Sequence, residues 1–358
     1  MRAGAATART RVVGAQTLDA QTNRPRREVS PIDHCALAHT MHSAWLPMNS
    51  SPYVIVLAGG DGQRLAPLTR ALYGTPLPKQ FAVLAGERSL MQTTIERAMA
   101  LTTPSRISVV VTAHHESIAR EQLVPYPGVE LVVQPRNLDT GPGLLLPLVR
   151  VMARDASGRV IFLPSDHHVS NPAPIARALD SAVALTERIA LIGVPASSPE
   201  TEYGWVVRGE PVAHGLAFTV RAFHEKPCQA MADELWRNGE LWNTFISTGP
   251  VGRFWTLARR HLPENAARLE RYAASIGGLD EADTLRAAYD GMAPANFSRS
   301  VLSNADRLAV LPVAGSGWSD WGSPQRVLAS LAGTDGHRRL LARLDSDSAL
   351  AATVRHGA

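Results

Sequence analysis

The sequence predicts an α/β protein built on a mostly parallel sheet. Short apolar runs alternate with longer segments of helical periodicity, one of these runs opens into a glycine-rich loop, and another ends in Asp166. In sheets of this kind ligands bind at the carboxyl ends of the strands. The alternation therefore predicts both the architecture and the edge of the sheet where a site should lie.

The elements follow in chain order. The first predicted strands are 53–57, 107–111, 129–133, 159–163 and 189–193. The first predicted helices are 89–101, with Ser89 as its N-cap, 115–123, 143–154 and 173–186. After Pro195 the alternation loosens into extended pieces near 204–208 and 217–224, helical stretches at 228–238, 252–261, 264–275 and 280–290, a strand at 308–312 and a helix at 323–332.

Composition excludes several classes of protein. Residues 1–50 carry six Arg against three acids, which leaves only about +1 of the net charge of +4 for the remaining 308 residues. A nearly neutral body does not suit a nucleic-acid binder. No apolar run approaches the ~18 residues of a membrane span, and two cysteines, Cys35 and Cys228, fit a reducing compartment. We expect a cytoplasmic protein without nucleic-acid or membrane partners.

The first apolar run opens into a loop with glycines at three of four positions, Gly59, Gly60 and Gly62. The loop is neither a P-loop nor a dinucleotide fingerprint, because the lysine-serine pair of the first and the third glycine of the second are missing. Glycines let backbone N–H groups approach phosphate oxygens, and Arg64 and Lys79 can add positive charge. The loop alone leaves open a phosphate cradle or a tight strand-to-helix turn.

Two acids follow other strands. Asp166 is expected near the glycine loop, where a carboxylate beside a triphosphate is most useful as a ligand for Mg²⁺. Asp320 lies between two tryptophans and could complete a two-carboxylate metal site with Asp166. The competing interpretations are a turn residue for Asp166 and a packed aromatic turn around Asp320.

A polar cluster in the second half of the chain combines Glu225 and Lys226 with Gly204 upstream and Asn243 downstream. Glu and Asn hold sugar hydroxyls, Lys can hold a sugar phosphate, and a glycine lets backbone approach a ring. The alternative interpretation of Glu225 and Lys226 is an exposed ion pair before a proline turn.

These motifs carry a family resemblance. The run from Leu57 to Thr69, followed by Pro78-Lys79-Gln80-Phe81, resembles the signature of sugar-1-phosphate nucleotidylyltransferases, and is most similar to the mannose-1-phosphate guanylyltransferase branch. The similarity covers about residues 53–330 and continues in order through Asn137, Thr140-Gly141-Pro142, Leu163 to His167, Pro199 to Thr201, Tyr203-Gly204, Phe223 to Pro227, Trp242-Asn243 and Trp318 to Gly322.

The resemblance implies a Rossmann-like nucleotidyltransferase core with a mixed, mostly parallel sheet and a sugar-binding lobe. It implies transfer of a nucleotidyl group from an NTP, here GTP, to a sugar 1-phosphate, here mannose 1-phosphate, with Mg²⁺ as cofactor. The attacking phosphate oxygen is already anionic, so positioning and charge neutralisation should suffice without a general base. A homodimer is a candidate assembly.

The same resemblance implies residue roles. The catalytic residues would be Arg64 at the departing pyrophosphate, Lys79 near the α-phosphate, and Asp166. The metal ligands would be Asp166 and Asp320. The nucleotide-binding residues would be Leu57, Gly59, Gly60, Gly62, Asn137 and Thr140. The sugar-phosphate-binding residues would be Gly204, Glu225, Lys226 and Asn243.

The expected organisation of the chain has three parts. Residues 1–50 lack apolar periodicity and form a disordered extension, 51–335 form the nucleotidyltransferase domain, and 336–358 form a C-terminal helical tail. Within the domain, the nucleotide part spans about 51–195 and the sugar-binding lobe about 196–300. The chain ends near 358 without the cupin-like isomerase domain of bifunctional relatives, so a single activity is expected.

Two departures from the branch keep alternatives open. Thr244-Phe245 stand where Ser-Gly is usual, which places a large ring near the expected sugar pocket, and 297–302 carries no acid where relatives have one. One alternative is a uridylyl- or thymidylyltransferase acting on another hexose 1-phosphate. The other is a catalytically reduced regulatory protein that binds a nucleotide sugar.

Overall fold

The computed structural model describes residues 51–344; the extension expected at 1–50 and the last residues of the tail, 345–358, lie outside the described part. The strands are β1 (Tyr53–Leu57), β2 (Ile107–Thr112), β3 (Glu130–Gln134), β4 (Arg159–Pro164), β5 (His168–Val169), β6 (Ile189–Pro195), β7 (Gly204–Val212), β8 (Ala217–Glu225), β9 (Leu241–Pro250), β10 (Leu308–Pro312) and β11 (Trp318–Ser319). The helices are α1 (Ala66–Tyr73), α2 (Leu90–Met99), α3 (Glu116–Leu123), α4 (Thr140–Arg154), α5 (Ala173–Ser181), α6 (Gln229–Arg237), α7 (Val251–His261), α8 (Pro263–Ala273), α9 (Glu281–Asp290), α10 (Phe297–Ser300), α11 (Pro324–Leu331) and α12 (Asp335–Leu344).

Each strand and helix expected from the alternation is present, with ends shifted by a few residues. Ser89 is the N-cap of α2 and forms a capping box with Gln92. Helix α4 begins at Thr140, three residues before the expected start, because the Asp139 side chain accepts a hydrogen bond from the Thr140 backbone N–H. Helices α1 and α10 and strands β5, β9 and β11 were not predicted.

Nine strands form one mixed sheet in the order β3-β2-β1-β4-β9-β6-β10-β8-β7. Strands β3, β2, β1 and β4 are parallel neighbours, and β10 is parallel to β6. The missed strand β9 runs antiparallel between β4 and β6, in the middle of the sheet. The expected mixed, mostly parallel sheet is therefore confirmed, and the strands of the region 196–300 belong to it.

Helices cover both faces of this sheet, which explains the continuous apolar character of β1. Val54, Ile55 and Val56 are fully buried. Ile55 packs with Leu145 in the core on the face of α4, α7 and α8. Val54 and Val56 pack with Met91 in the core on the face of α2, α3 and α5. The successive side chains of β1 therefore point to opposite cores.

Two smaller features bring the ends of the domain to the sheet. Strand β5 pairs with β11, with His168 opposite Ser319, so the segments that follow Asp166 and precede Asp320 lie side by side. Helices α11 and α12 pack on α1 through Val327, Leu340 and Leu68. Among residues 51–344, no helix is both long and apolar enough to cross a membrane.

Candidate functional site

A cavity of about 510 Å³ lies at the carboxyl ends of β1 and β4. Twelve of the fourteen site residues expected from the sequence line it: Leu57, Gly59, Gly60, Arg64, Asn137, Thr140, Asp166, Gly204, Glu225, Lys226, Asn243 and Asp320. The other two, Gly62 and Lys79, contact residues of the lining. Residues that are far apart in the chain are thus brought to one site.

The glycine loop has a conformation that its residues require. Gly62 adopts a left-handed φ of +58°, and a Cβ there would come within 2.7 Å of the backbone nitrogen of Lys79. The buried amide of Gln80 donates to the carbonyl oxygens of Ala58 at 3.1 Å and Gly60 at 2.5 Å. The two hydrogen bonds from Gln80 therefore stabilise the conformation of the loop.

Lys79 is a buried cation at the base of the site. Its side chain is 6% exposed, and Nζ lies 3.0 Å from Oδ2 of Asp166 and donates to the backbone oxygen of Asp320 at 2.6 Å. Burial by itself would raise the pKa of Asp166, but Lys79 and His167 outweigh burial and lower that pKa to about 2. Asp166 is consequently a carboxylate at every pH at which the protein would work.

The two histidines after Asp166 have structural partners. Nδ1 of His167 accepts a hydrogen bond from the Trp318 indole at 3.3 Å, and Nε2 faces Oδ1 of Asp166 at 3.5 Å. Because Nδ1 is the acceptor, the Nε2–H of His167 points to Asp166. Burial lowers the pKa of His167. His168 stacks on Trp321 with the ring centroids 4.3 Å apart, and burial lowers its pKa to about 4.

The Asp320 carboxylate is almost fully buried and has several donors. Oδ1 accepts from the Tyr203 hydroxyl at 2.7 Å, the Gly322 N–H at 2.9 Å and Arg326 at 3.1 Å, and Oδ2 lies 3.4 Å from Arg64. Burial would raise the pKa of Asp320, but these donors and the nearby cations lower it. Arg326 also forms an ion pair with Glu200.

The carboxylates of the site suit Mg²⁺, which needs a few oxygen ligands and open positions for water and phosphate. Asp166 fits, because it is ionised and lines the cavity, and its Oδ1 lies 3.5 Å from His167. Asp320 could contribute only through Oδ2, since Oδ1 is engaged by Tyr203 and Gly322, and Oδ2 would first have to release Arg326 at 3.3 Å and Arg64 at 3.4 Å. Lys79 contacts the carboxylate of Asp166 and the backbone oxygen of Asp320, and the joint role of the two acids as metal ligands stays a prediction.

A separate group of possible ligands lies at the glycine loop. Ligand atoms of Asp61, His114 and His115 lie within 4.8 Å of one another, and Nε2 of His114 is 3.2 Å from Oδ1 of Asp61. Burial and the neighbouring His114 lower the pKa of His115 to about 4. Imidazole nitrogens suit transition metals better than Mg²⁺, so this cluster does not replace Asp166 as a magnesium ligand.

The other part of the cavity holds the expected sugar-binding residues. A Cβ on Gly204 would come within 3.0 Å of the Glu225 carboxylate and 3.4 Å of Asn243, so a glycine is needed where these two side chains converge. Burial raises the pKa of Glu225 although Lys226 opposes the shift. Asn243 accepts a hydrogen bond from the Phe245 N–H through Oδ1, which leaves its Nδ2 as a donor.

Several residues of the site were missed as functional residues. Gln80 belongs to the Pro-Lys-Gln-Phe motif, so a signal for it existed in the sequence. Arg326 lies on α11, and no motif in the neighbouring sequence indicates a functional residue there. The buried Ser298 lies in the acid-free segment 297–302 and lines the cavity.

The fold and the cavity together define an α/β protein with a polar site at the carboxyl ends of its central strands. More particularly, the chain belongs to the nucleotidyl transferase family, whose family model matches residues 53–332. The resemblance inferred from the motifs is therefore confirmed.

Similar proteins agree with this family. The mannose-1-phosphate guanylyltransferase of Salmonella montevideo is 29% identical over 286 residues, which cover 75% of this chain and 58% of the relative. The alginate biosynthesis protein AlgA of Pseudomonas syringae pv. tomato is 30% identical over 281 residues, which cover 75% of this chain and 56% of the relative. The chain thus spans less than two thirds of the length of these curated relatives.

A solved structure has the same fold. The Thermus thermophilus protein described as a mannose-1-phosphate geranyltransferase superimposes with a TM-score of 0.69 at 29% identity, with 79% of each chain covered. A Helicobacter pylori structure described as a mannose-6-phosphate isomerase has a TM-score of 0.58 at 20% identity, which supports the fold alone.

Proposed function

We propose that the protein transfers a nucleotidyl group from an NTP to a sugar 1-phosphate, with GTP and mannose 1-phosphate as its substrates and Mg²⁺ as its cofactor. One observation carries the proposal: a single cavity is lined by the glycine loop, by the ionised Asp166, and by Glu225 and Asn243. The guanylyltransferase names of the relatives support the choice of base and sugar.

In the proposed reaction an oxygen of the sugar 1-phosphate forms a bond to the α-phosphorus, and the bond from that phosphorus to the bridging oxygen breaks to release pyrophosphate. The nucleophile is anionic at neutral pH, so the work of the protein is positioning and charge neutralisation. Mg²⁺ supplies positive charge at the phosphates when it is bound, and Asp166, joined by Oδ2 of Asp320, would hold it.

The basic residues of the site take different proposed roles. The Arg64 side chain is 53% exposed and has only long ionic contacts of 3.4 and 3.5 Å, so it is free to turn toward a departing pyrophosphate. Lys79 is buried and already paired, so its contribution near the α-phosphate includes holding Asp166 ionised and in place. Lys226, whose side chain is 49% exposed, is available for the sugar phosphate.

The polar groups at the sugar end suit hydroxyls. Nδ2 of Asn243 can donate to a sugar oxygen, and Glu225 can accept from a sugar hydroxyl. The glycine loop, Asn137 and Thr140 line the part proposed for the nucleotide.

The test is a pyrophosphate-release assay on the full chain, with GTP, UTP, dTTP and CTP each combined with mannose 1-phosphate and glucose 1-phosphate in the presence of Mg²⁺. We expect the highest kcat/KM with GTP and mannose 1-phosphate. A preference for UTP or dTTP with another hexose 1-phosphate would favour the uridylyl or thymidylyl alternative. Tight binding of GDP-mannose without release for any pair would favour the regulatory protein.

The proposal includes a homodimer in the cytoplasm. Light scattering coupled to size-exclusion chromatography of the full chain tests the assembly, and a monomer at working concentration would remove the dimer from the proposal.

A further inference from the structure

Strand β9 contains a bulge at the sugar end of the cavity. In its pairing with β6, Asn243 lies opposite Gly193 and Ser247 lies opposite Leu191. Three residues of β9, 244–246, therefore face the single residue Ile192, and two of them are extra. Bulges of this kind bend a strand and redirect a side chain, commonly beside a functional site.

Side chains hold the backbone of the bulge. The buried hydroxyl of Thr244 donates to the Ile192 carbonyl at 2.7 Å and accepts from the Ile246 N–H at 3.2 Å. Oδ1 of Asn243 accepts from the Phe245 N–H at 3.2 Å. These side chains therefore satisfy backbone groups that the interrupted ladder leaves without a strand partner.

Phe245 is in an unfavourable backbone conformation within this bulge. Its φ is +63°, in the left-handed region, where a bulky L-residue is strained and glycine is not. The ring is half-buried, packs against the core on the α4 face, and lines the cavity. Strain of this kind persists where the surroundings enforce it, and it concentrates at ligand sites.

We propose that Phe245 determines the specificity for the sugar by forming an apolar wall at the sugar end of the cavity. The inference rests on the proposed function. On this view the site accepts hexose 1-phosphates that carry only hydroxyls and rejects 2-acetamido-2-deoxyhexose 1-phosphates.

The position, the volume and the chemistry of the ring support this role. Asn243, whose amide holds the Phe245 backbone, lies beside Gly204, and Gly204 lies against Glu225. The same cavity of about 510 Å³ must hold both substrates, so the volume of the ring is volume that a larger sugar substituent would need. The ring also offers no hydrogen-bond partner to the amide of an acetamido group, and an unpaired buried amide is costly.

Three variants separate the ring from the backbone strain. Phe245→Ala removes the ring but keeps a Cβ in the left-handed conformation, Phe245→Gly removes both, and Phe245→Leu keeps apolar bulk. We expect the ratio of kcat/KM for mannose 1-phosphate over N-acetylmannosamine 1-phosphate to fall at least about tenfold in the Ala and Gly variants, and less in the Leu variant. We also expect a higher Tm for Phe245→Gly than for Phe245→Ala, because glycine relieves the strain.

The wild-type protein tests the proposed function, and the variants test the role of Phe245. Pyrophosphate release by the wild-type protein supports the proposed function whatever the variants do, and an unchanged selectivity ratio in folded Ala and Gly variants would overturn the role of Phe245. If the wild-type protein releases no pyrophosphate, the proposed function fails. In that case the dissociation constants of the two sugar 1-phosphates are measured by calorimetry for the wild-type protein and the variants. A ratio of the two constants that is unchanged in the variants, or an absence of binding, overturns the inference.

Discussion

The two ends of the cavity are built differently. One end is a charge network around the buried Lys79 and Asp320. It also includes Tyr203 and the half-buried Asp166 and Arg326, and each charged group has a partner within 3.1 Å. The other is the end proposed for the sugar, lined by Gly204, Glu225, Lys226, Asn243 and Phe245. There Lys226 is half-exposed and has one ion pair, at 3.9 Å.

The backbone conformation of individual residues also differs between the two ends. Lys226 and Phe245 both have positive φ values, +50° and +63°, whereas Lys79 and Asp166 lie in ordinary backbone. Charges that must stabilise a reaction gain from being fixed in advance. A single residue at the second end can be substituted without disturbing the charge network of the first. We therefore expect the rate of the reaction to depend on the first end and the choice of sugar to depend on the second.

Removal of the Asp166 charge should have the largest effect. We expect Asp166→Asn to lower kcat at least about 10²-fold, because the substitution removes a fixed charge that organises the reaction centre. Circular dichroism should show an unchanged fold. Asp180→Asn, an exposed acid on α5, is the matched control and should keep full activity. Full activity in Asp166→Asn would remove Asp166 from the reaction.

The two lysines should differ in their contribution to stability. We expect Lys79→Met to lower the free energy of unfolding by about 1–3 kcal/mol, since Asp166 and the Asp320 carbonyl lose their shared donor in a buried setting. Lys226→Met should change it by less than about 0.5 kcal/mol, because its ion pair is long and exposed. Urea denaturation measures both. Equal decreases in the free energy of unfolding for the two variants would contradict the proposed difference between the two ends.

A smaller effect is expected from the Tyr203 hydroxyl, which makes the shortest contact to the Asp320 carboxylate. Tyr203→Phe should lower kcat by roughly tenfold and weaken the apparent affinity for Mg²⁺, because a misplaced Asp320 no longer supports the metal. Tyr73→Phe also loses hydrogen bonds, to Val83, but lies outside the cavity. An identical effect on kcat in both variants would mean that the Tyr203 hydroxyl serves stability alone.

The smallest expected effects are in the pH dependence of stability, and they have opposite signs at the two ends. The pKa of Asp166 is lowered from 3.8 to about 2, so its contribution is present above about pH 4 and is lost as the pH falls toward 2. The pKa of Glu225 is raised above 4.5, so stability is lost as the pH rises above 4.5. Denaturation curves of Asp166→Asn and Glu225→Gln should each lack one of these slopes. A slope that persists in its variant contradicts the assignment.

Much of the sheet could be predicted, but one central strand could not. Strands β1 and β4 are continuous apolar runs, which is the pattern of a strand buried on both faces. In strand β9 apolar and polar residues come two at a time, and the bulge at 244–246 interrupts the strand. Its sequence is therefore neither a continuous apolar run nor a strict alternation, although the strand lies between β4 and β6. Its Trp242-Asn243 motif marked a ligand residue without marking a strand.

The sequence by itself determined the family, the glycine loop and twelve of the residues that line the cavity, because these features are local runs with a characteristic order. The tertiary structure decided how they are connected. Lys79 and Asp320 are 241 positions apart and meet only because β5 pairs with β11 beside β4. The strained backbone of Phe245 also depends on the pairing of β9 with β6. Contacts between distant segments depend on sheet topology and register, and neither is encoded in local periodicity.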